Sequence, residues 1–449
     1  MTACHMTMAE AAQATGARLV GASDIVFEGV STDTRAIASG QLFVALKGPN
    51  FDAHDFIAQA TAAGVAAVMV EKDCGIALPQ LIVPSCLKAL GQLAHAWRLR
   101  FDFPIVGVTG SNGKTTVKEM LASIFATQWN TLSTRGNLNN DIGLPLTLLN
   151  LNEQHQAAII EMGANHPGEI AYLTQLTQPT VALITNAGAA HLEGFGSIEG
   201  VAHAKGEIYQ GLLANGCAIV NADDKYADLW CSLASDKQQL SFGIENAADV
   251  TCSWHGDVHG SQLDIDTPRG EFECHLKLAG RHNVLNALAA TAASVAAGVG
   301  LENIKQGLEA VQPVKGRMQP RHGINGASVI DDTYNANPYS LAAAVKVLAA
   351  CSGEKYLALG DMGELGVDTE ALHQQAGRLA REAGVDALYG VGNYVRKAVE
   401  AFGENGYHFD GQQAMIDKLR GDLNSEVTLL VKGSRASHME NIVSALVAD

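Results

Sequence analysis

A glycine-rich run from Thr109 to Thr116 has the strongest chemical signal in the sequence. It reads Thr-Gly-Ser-Asn-Gly-Lys-Thr-Thr, directly after the apolar stretch 104–108 and before a helical pattern. Glycines in this setting let backbone N–H groups converge on phosphate oxygens, and the start of a helix adds partial positive charge. Lys114 can then reach the outer phosphates, and Thr115 can bind Mg²⁺. The predicted contacts of this phosphate loop are Gly110, Ser111, Asn112, Gly113, Lys114, Thr115 and Thr116.

The loop departs from the commonest phosphate-loop pattern, G-x-x-x-x-G-K-[ST], at its first glycine. Val108 occupies the position six residues before Lys114, where that glycine is expected. The run is therefore a shorter variant, and the alternative interpretation is a glycine-rich turn with an incidental lysine.

Three further side chains could take part in catalysis or metal binding, and each also has an ordinary structural interpretation. Glu161 ends an apolar strand pattern, where a parallel sheet places ligand groups, so it could hold the Mg²⁺ that Thr115 binds; the alternative is a solvated strand-end carboxylate. His191 follows another strand pattern, and Lys205 lies on a predicted helix. On pattern alone, a structural histidine and a solvated lysine are the commoner outcomes.

Two polar segments and two basic ones complete the candidates. The asparagine-rich segment 135–141 indicates a hydrogen-bonding surface, or else a capped turn. In the segment 331–338, Asp331 or Asp332 is placed either for ribose hydroxyls or for capping. Arg317 and the run 432–435 supply cations that could meet a phosphate or a carboxylate.

The elements that must position these residues fall into three sections, which begin at the N-terminus, near Pro104 and near Gly316. Short apolar strands alternate with helices in all three, which predicts α/β structure with parallel sheets. A helix over 85–100 leads out of the first section, and residues 250–278 predict an antiparallel insert. The main predicted strands are 42–46, 66–70, 80–83, 104–108, 157–160, 181–185, 217–220, 327–330, 356–359, 387–391 and 427–431.

Composition narrows the class of protein. The 449 residues are 47% hydrophobic and 17% charged, with a net charge of −17, which argues against a general nucleic-acid or anionic-membrane binder. No apolar run is long enough for a transmembrane helix, and no signal peptide is expected at the N-terminus. Eight scattered cysteines without a C-x-x-C pair fit a reducing cytoplasm.

These motifs together resemble the Mur ligase family, over nearly the whole chain. The matching segments outside the phosphate loop are 31–35, 42–48, 136–143, 161–169, 190–196, 280–283, 331–338, 359–366 and 431–435. Of these, 136–143, 161–169 and 359–366 resemble the branch that adds D-alanyl-D-alanine, and the Asp-Asn-Pro-Arg-type signature of the diamino-acid-adding branch is absent.

The resemblance implies an α/β protein of three domains. Residues 1–84 would bind a UDP-sugar peptide, residues 85–315 would form a phosphate-loop ATPase domain on a mostly parallel sheet, and residues 316–449 would form a Rossmann-like domain that closes over it. The implied reaction is ATP-dependent ligation of D-alanyl-D-alanine to UDP-N-acetylmuramoyl-tripeptide through an acyl phosphate. The implied protein is a cytoplasmic monomer of peptidoglycan synthesis.

The resemblance also assigns site residues. Thr115 and Glu161 would hold one Mg²⁺, and His191 a second one together with Lys205 in its carbamylated form; Lys114, Lys205, His191 and Glu161 would be the catalytic set. Asn283 would contact adenine, Asp331 the ribose and Arg317 the phosphates. The residues implied for the nucleotide-sugar peptide are Ser31, Thr34, Arg35, Lys47, Asn137, Asn139 and Asn140, and those for the dipeptide are Asn335, Asn337 and the segment 361–365.

Three alternatives stay open from the sequence. One is another step of the same superfamily, either a diaminopimelate- or lysine-adding ligase or a folylpolyglutamate synthetase, although the 31–35 and 42–48 motifs count against the folate enzyme. Another is a regulatory ATPase that ligates nothing. A dinucleotide-dependent oxidoreductase is the weakest, because no G-x-G-x-x-G run follows the strands of the third section.

Overall fold

The computed structural model of the chain describes residues 4–189, 192–257 and 260–448. Within them, three α/β segments follow one another, and each has its own parallel or mostly parallel main sheet. The predicted fold class is therefore confirmed, whereas the segment limits at 84/85 and 315/316 stay predictions. None of the helices in the described ranges combines the length and the apolar character needed to cross a membrane.

The N-terminal segment has a small mixed sheet. Its strands are β1 (His5–Thr7), β2 (Arg18–Val20), β3 (Val26–Glu28), β4 (Val30–Ser31), β5 (Leu42–Val44), β6 (Ala67–Val70) and β7 (Gln80–Ile82). Its helices are α1 (Met8–Thr15) and α2 (Ile57–Ala62). The five-stranded sheet has the order β2-β7-β6-β5-β4, with only β2 antiparallel to its neighbour, and β1 pairs with β3.

Helix α3 (Cys86–Arg98) joins the first two segments into one core. The Ser85 hydroxyl caps its N-terminus by accepting from Lys88 N, at 3.4 Å. The Trp97 indole donates to Leu151 O at 3.0 Å, and the Arg98 guanidinium donates to Thr177 O at 2.6 Å. A single cluster of buried apolar side chains therefore extends from the N-terminal sheet, through α3, to the central sheet.

The central segment contains a six-stranded sheet that is parallel throughout. Its strands are β8 (Ile105–Thr109), β9 (Thr131–Ser133), β10 (Ala157–Glu161), β11 (Val181–Ile184), β12 (Cys217–Asn221) and β13 (Gln238–Phe242), in the order β13-β12-β11-β8-β10-β9. Its first helices are α4 (Lys114–Ala126), α5 (Gly143–Leu148), α6 (Glu169–Thr177), α7 (Leu192–Phe195), α8 (Ile198–Gly206) and α9 (Ala227–Leu233). Helices cover both faces, so β8, β10 and β11 are buried on both sides and show continuous rather than alternating apolar patterns.

The predicted antiparallel insert follows this sheet and is confirmed. It consists of β14 (Thr251–Gly256), β15 (Ser261–Thr267) and β16 (Gly270–Leu276), paired in that order. Helices α10 (Arg281–Ala296) and α11 (Leu301–Ala310) come next and pack against α4. The first turn of α10 therefore lies close to the helix that begins at the phosphate loop.

The C-terminal segment has a second six-stranded sheet. Its strands are β17 (Gln319–His322), β18 (Ser328–Asp332), β19 (Glu354–Gly360), β20 (Ala387–Val391), β21 (Gly406–Phe409) and β22 (Val427–Lys432). Its helices are α12 (Pro338–Ala349), α13 (Thr369–Glu382), α14 (Val395–Phe402), α15 (Gln412–Asp422) and α16 (Glu440–Leu446). The order is β17-β18-β22-β19-β20-β21, and only the edge strand β17 is antiparallel.

Sheet order decides which loops meet. In the central sheet β8 lies between β10 and β11, so the loops that follow these three strands converge at one carboxyl edge. In the C-terminal sheet, β22 lies between β18 and β19 in the same way. The candidate site lies where these two edges face each other.

Candidate active site

The predicted phosphate loop connects β8 to α4. Gly110 and Gly113 have φ values of +143° and +82°, a region that favours glycine. A Cβ atom on Gly110 would stand 1.9 Å from Thr185 Oγ1, and one on Gly113 would stand 2.4 Å from Asn286 Oδ1. Conformation and space therefore both require glycine at these two positions.

The Lys114 side chain folds back across the loop. Its Nζ donates to Gly110 O at 2.7 Å and to Ser111 O at 3.3 Å. Burial lowers the pKa of Lys114, the Glu161 carboxylate opposes this effect, and the Arg317 charge adds to it. The ammonium group thus occupies the concave side of the loop, where it can contact an outer phosphate.

A brace on the loop was missed by the sequence analysis. Asn186 mimics a peptide unit toward Asn112: its Oδ1 accepts from Asn112 N and its Nδ2 donates to Asn112 O, both at 3.0 Å. Thr185 Oγ1 donates to the same carbonyl at 2.6 Å. The only sequence signal was that Thr185 ends the predicted strand 181–185 and that Asn186 directly follows it.

Glu161 lies at the centre of the site rather than at its surface. Its side chain is buried, so the solvated alternative is wrong. Oε2 accepts from Thr115 Oγ1 at 3.0 Å, and Oε1 accepts from Asn139 Nδ2 at 2.8 Å. Register explains this placement, because Glu161 pairs with Val108 just before the phosphate loop. A carboxylate and a hydroxyl thus converge on one point as oxygen ligands.

Lys205 is also buried, so the solvated reading of this helix lysine is wrong as well. Its Nζ lies over the Phe195 ring, 5.3 Å from the ring centroid. Burial lowers the pKa of Lys205 to about 7; the Lys114 charge adds to this effect, and Glu169 and Glu207 oppose it. His191 lies outside the described residues, so its predicted role stays a prediction.

The C-terminal segment reaches into the phosphate loop at two points. Arg317 lies over the Tyr334 ring, with its guanidinium carbon 4.2 Å from the ring centroid, and donates to Thr115 Oγ1 at 2.9 Å. Asn337 Nδ2 donates to Asn112 Oδ1 at 2.8 Å, while Asn337 Oδ1 caps helix α12. Both residues were predicted site residues, and both link the two facing sheet edges.

The two neighbouring aspartates at the end of β18 have different surroundings. Asp331 Oδ1 accepts from Thr333 N at 3.2 Å and from Thr333 Oγ1 at 2.6 Å, which is a capping role. Asp332 lines the cleft, forms an ion pair with Lys432 and accepts from Met318 N at 3.1 Å. The ribose contact expected of Asp331 stays a prediction, and Asp332 is the one that faces the cleft.

The asparagine-rich segment combines both of its interpretations. Asn139 contacts Glu161, whereas Asn140 Oδ1 accepts from the backbone of Ile142 and Gly143 and so caps the turn before α5. Asn137 lines the cleft beside them. The segment is thus a capped turn that presents amide groups to the site.

Asn283 lies in the first turn of α10 and lines the same cleft. It is buried, donates to Ala279 O at 2.8 Å and accepts from Asn286 Nδ2 at 3.2 Å. Phe242, Leu278 and Tyr339 add an apolar lining to the cleft, which a flat base could contact. Tyr339 was not among the predicted residues, because it lies far from Asn283 in sequence.

Most of these groups line one cleft of about 720 Å³, within the size range of small-molecule sites, whereas Gly110, Lys205 and Asp331 are outside its lining. Fourteen of the predicted site residues line it: Ser111, Asn112, Gly113, Lys114, Thr115, Thr116, Asn137, Asn139, Asn140, Glu161, Asn283, Arg317, Asn335 and Asn337. Helix α3 contributes Leu87 and Lys88, which the sequence analysis did not single out.

The residues predicted to hold the nucleotide sugar lie elsewhere, on the N-terminal segment. Arg35 forms a two-point ion pair with Asp33 at 2.6–3.1 Å, and both side chains are well exposed. Ser31 bonds within the same turn, and Thr34 donates to Gln59. These three and the exposed Lys47 do not line the cleft, so their predicted role would need a separate, more open surface.

Family models match three successive parts of the chain. They are the "Mur ligase family, catalytic domain" over residues 26–98, the "Mur ligase middle domain" over 108–294 and the "Mur ligase, glutamate ligase domain" over 316–435. A curated Escherichia coli (strain K12) protein, named UDP-N-acetylmuramoyl-tripeptide–D-alanyl-D-alanine ligase, is 46% identical, with 98% of each chain covered.

Solved structures agree with these matches. A crystal structure of MurF from Acinetobacter baumannii is 38% identical and superposes with a TM-score of 0.94, covering 99% of both chains. MurF from Thermotoga maritima in complex with ADP is 28% identical, with a TM-score of 0.84 over 93% of this chain and 96% of the other. Three parts of the present chain match the family models, and its relatives align over nearly its full length. Together with the phosphate-loop cleft, these matches show that the chain belongs to the Mur ligase family.

Proposed function

We propose that the chain joins D-alanyl-D-alanine to the terminal carboxyl group of UDP-N-acetylmuramoyl-tripeptide at the expense of ATP. One observation carries this proposal. The cleft brings Lys114, Thr115 and Glu161 together with Arg317 from the facing segment, in a chain whose full-length relatives have that activity in their names. The product would be the UDP-linked pentapeptide of peptidoglycan synthesis.

The chemistry explains why a phosphate loop serves peptide-bond formation. A carboxylate is a poor acyl donor, because oxide is a very poor leaving group. Transfer of the γ-phosphoryl group from ATP to a carboxylate oxygen gives an acyl phosphate and ADP. The free amine of the dipeptide then attacks the acyl carbon, the C–O bond to phosphate breaks, and phosphate leaves as the amine loses a proton.

The first step must bring two anions together, which costs much energy in a desolvated site. Lys114 and Arg317 place two cations at the loop where this repulsion arises. The Asn186 brace holds the Asn112 backbone in place, so the loop needs little reorganisation during transfer. These residues of the chain align the phosphoryl donor and offset its charge.

A divalent cation fits the pair formed by Thr115 and Glu161. Their oxygens are 3.0 Å apart, and a hydroxyl and a carboxylate are ligands that Mg²⁺ accepts. Asn139 donates to the second carboxylate oxygen and keeps the group oriented. When bound, Mg²⁺ would neutralise phosphate charge during the transfer.

A second cation site would need an anionic group on Lys205, because its ammonium form repels metal ions. Reaction of the neutral amine with CO₂ gives a carbamate and releases one proton. The carbamate has the required carboxylate-like oxygens. A pKa of about 7 means that much of the Lys205 amine is neutral at neutral pH, in the form that reacts. The predicted partner His191 lies outside the described residues.

Oxygen-isotope transfer tests this mechanism directly. UDP-N-acetylmuramoyl-tripeptide labelled with ¹⁸O in its terminal carboxyl group is incubated with ATP, Mg²⁺ and D-alanyl-D-alanine. The ¹⁸O content of the released phosphate is then measured by mass spectrometry. The acyl-phosphate route predicts one ¹⁸O atom in the phosphate for each pentapeptide formed. Unlabelled phosphate would fit a regulatory ATPase and contradict the proposal.

The location of the protein and its oligomeric state are two further predictions. A cytoplasmic location agrees with ATP use and with the eight free thiols of the chain. A monomeric state is the family expectation, and light scattering of the purified protein at several concentrations would test it.

A further inference from the structure

A lysine on the helix that follows the phosphate loop is enclosed by the protein. Lys118, in α4, is only 1% exposed, and it is not part of the described lining of the cleft. Its Nζ donates to Thr134 O at 2.9 Å and forms an ion pair with Glu119, the next residue of the helix. Burying an ammonium group is costly unless such partners compensate it. An apolar side chain could fill the same space without that cost, so the feature that distinguishes a lysine here is its bond to Thr134.

Thr134 connects this lysine to Glu161. It directly follows β9, and its backbone N–H donates to Ile159 O at 3.0 Å, which continues the pairing of β9 with β10. Its hydroxyl accepts from Glu161 N at 3.0 Å. All three polar groups of this buried threonine are therefore engaged: the carbonyl with Lys118, the N–H with β10 and the hydroxyl with the backbone of Glu161.

The end of β10 is supported differently on its two sides. On one side the strand ladder continues, because Met162 N donates to Val108 O of β8 at 2.8 Å. On the other side β9 has already ended, so no strand carbonyl of β9 lies opposite Glu161 N. The hydroxyl of Thr134 serves as the acceptor there. The backbone of Glu161 is thus held by one side chain where the regular sheet stops.

Lys118 therefore links the two predicted ligands of the cation. Thr115 lies three residues earlier, on the same side of α4, and Glu161 is joined to Lys118 through Thr134. Thr134 also precedes the asparagine-rich segment, whose Asn139 donates to Glu161 Oε1 at 2.8 Å. The bond between Lys118 and Thr134 thus ties the start of α4 to both the backbone and the side-chain support of Glu161.

We propose that Lys118 is a positioning residue for the divalent-cation site, because it holds Thr134, and through it Glu161, against the helix of the phosphate loop. The assignment rests on the cation site proposed at Thr115 and Glu161. A metal ion needs its ligands within narrow limits of distance and angle, and the residues behind those ligands set their orientation. Lys118 acts on the site from behind, since the cleft is lined by other side chains.

Four substitutions separate this role from a general loss of stability. Lys118→Met keeps the length of the side chain and removes the donor. Thr134→Val keeps the shape of the threonine and removes the hydroxyl, whereas Thr134→Ser retains the hydroxyl. Arg98→Met is the matched control, because Arg98 is also a buried cation that donates to a backbone carbonyl, that of Thr177, but supports the joint between the first two segments.

The test measures binding of Mn²⁺, which accepts the same oxygen ligands as Mg²⁺, by electron paramagnetic resonance. Each protein is mixed with the ATP analogue in which a methylene group joins the β- and γ-phosphates, so no turnover is involved. Titration of the analogue alone gives the Mn²⁺ held by free nucleotide, which is subtracted. The midpoint of thermal unfolding is measured on the same samples.

We expect Lys118→Met and Thr134→Val each to weaken Mn²⁺ binding about tenfold, the lower end of the loss found when residues behind metal ligands are replaced. Thr134→Ser and Arg98→Met should stay within about twofold of wild type by the same reasoning. Lys118→Met and Arg98→Met should both unfold at lower temperature, so instability alone cannot account for the difference. The double variant Lys118→Met/Thr134→Val should lose about tenfold, like either single variant, rather than about 100-fold, because both act through one link.

Several results would overturn the assignment. Unchanged Mn²⁺ affinity in Lys118→Met, an equal loss in Arg98→Met, or a 100-fold loss in the double variant would each remove the positioning role. If Lys118→Met does not fold, the two Thr134 variants decide: wild-type affinity in Thr134→Val, or no recovery in Thr134→Ser, would remove the link through which Lys118 acts. If the wild-type protein binds no Mn²⁺ beyond that of the free analogue, the proposed cation site fails instead, so the two failures are distinguishable.

Discussion

Replacing Lys205 by methionine should make the folded protein more stable near neutral pH. Lys205 is buried, and its Nζ lies over the aromatic ring of Phe195. Burial, aided by the charge of Lys114, lowers the pKa of Lys205 from 10.5 to about 7. Methionine has a similar length and no charge, so it removes the cost of burying the cation.

The size of the effect follows from the two pKa values. Because the folded pKa lies below the unfolded one, Lys205 binds more protons in the unfolded chain between pH 7 and 10.5, and its contribution to wild-type stability rises with pH across this window. At about 1.4 kcal/mol per pH unit, the cost at pH 7 is about 4 kcal/mol. It should decrease to nearly zero above pH 10.5.

Urea unfolding of both proteins from pH 7 to 10, in CO₂-free buffer, measures this difference. Tryptophan fluorescence is a suitable probe, because Trp230 donates to Ala202 in the same helix as Lys205. The exposed Lys277→Met is the matched control and should leave stability unchanged. The reasoning is refuted if Lys205→Met is no more stable than wild type at pH 7, or if its advantage does not decrease as pH rises.

Three other substitutions test the site itself. Lys114→Ala should reduce substrate-dependent phosphate release by about 100-fold or more, because the outer phosphates lose their cation. Retained turnover would contradict the phosphate-loop assignment. Asn186→Ala removes two bonds to the Asn112 backbone and should raise KM for ATP about tenfold in steady-state assays; an unchanged KM would contradict the brace. Asn139→Leu leaves Glu161 with one fewer donor and should raise the Mg²⁺ concentration for half-maximal activity about tenfold; an unchanged Mg²⁺ titration would show that this bond does not orient Glu161.

Features that are continuous in the chain could be predicted from the sequence. The phosphate loop could be identified from the spacing of its glycines and lysine, the buried strands β8, β10 and β11 from continuous apolar runs, and the antiparallel insert from alternation. Edge strands were missed, and the short strands β9 and β21 are among them. They have three and four residues, and pairing to one neighbour rather than an apolar run makes them strands.

Contacts between distant residues could not be predicted in the same way. The brace from Asn186 to Asn112 depends on β8 and β11 being neighbours, and the pairing of Lys432 with Asp332 depends on β18 and β22 being parallel partners. The burial of Lys205 depends on how α8 packs, since nothing in the local sequence distinguishes it from a surface lysine. The sequence pattern thus indicates which residues have side chains suited to catalysis or binding, and the topology of the sheets determines which of them come into contact.

The central claim is that ATP cleavage in this cleft is coupled to peptide-bond formation. Phosphate release and product mass are measured with ATP, Mg²⁺ and UDP-N-acetylmuramoyl-tripeptide, with and without D-alanyl-D-alanine. We predict sustained release only when both substrates are present, with a product heavier by the dipeptide less one water. Turnover with UDP-N-acetylmuramoyl-dipeptide and a diamino acid instead, or release that is indifferent to every acceptor, would contradict the account.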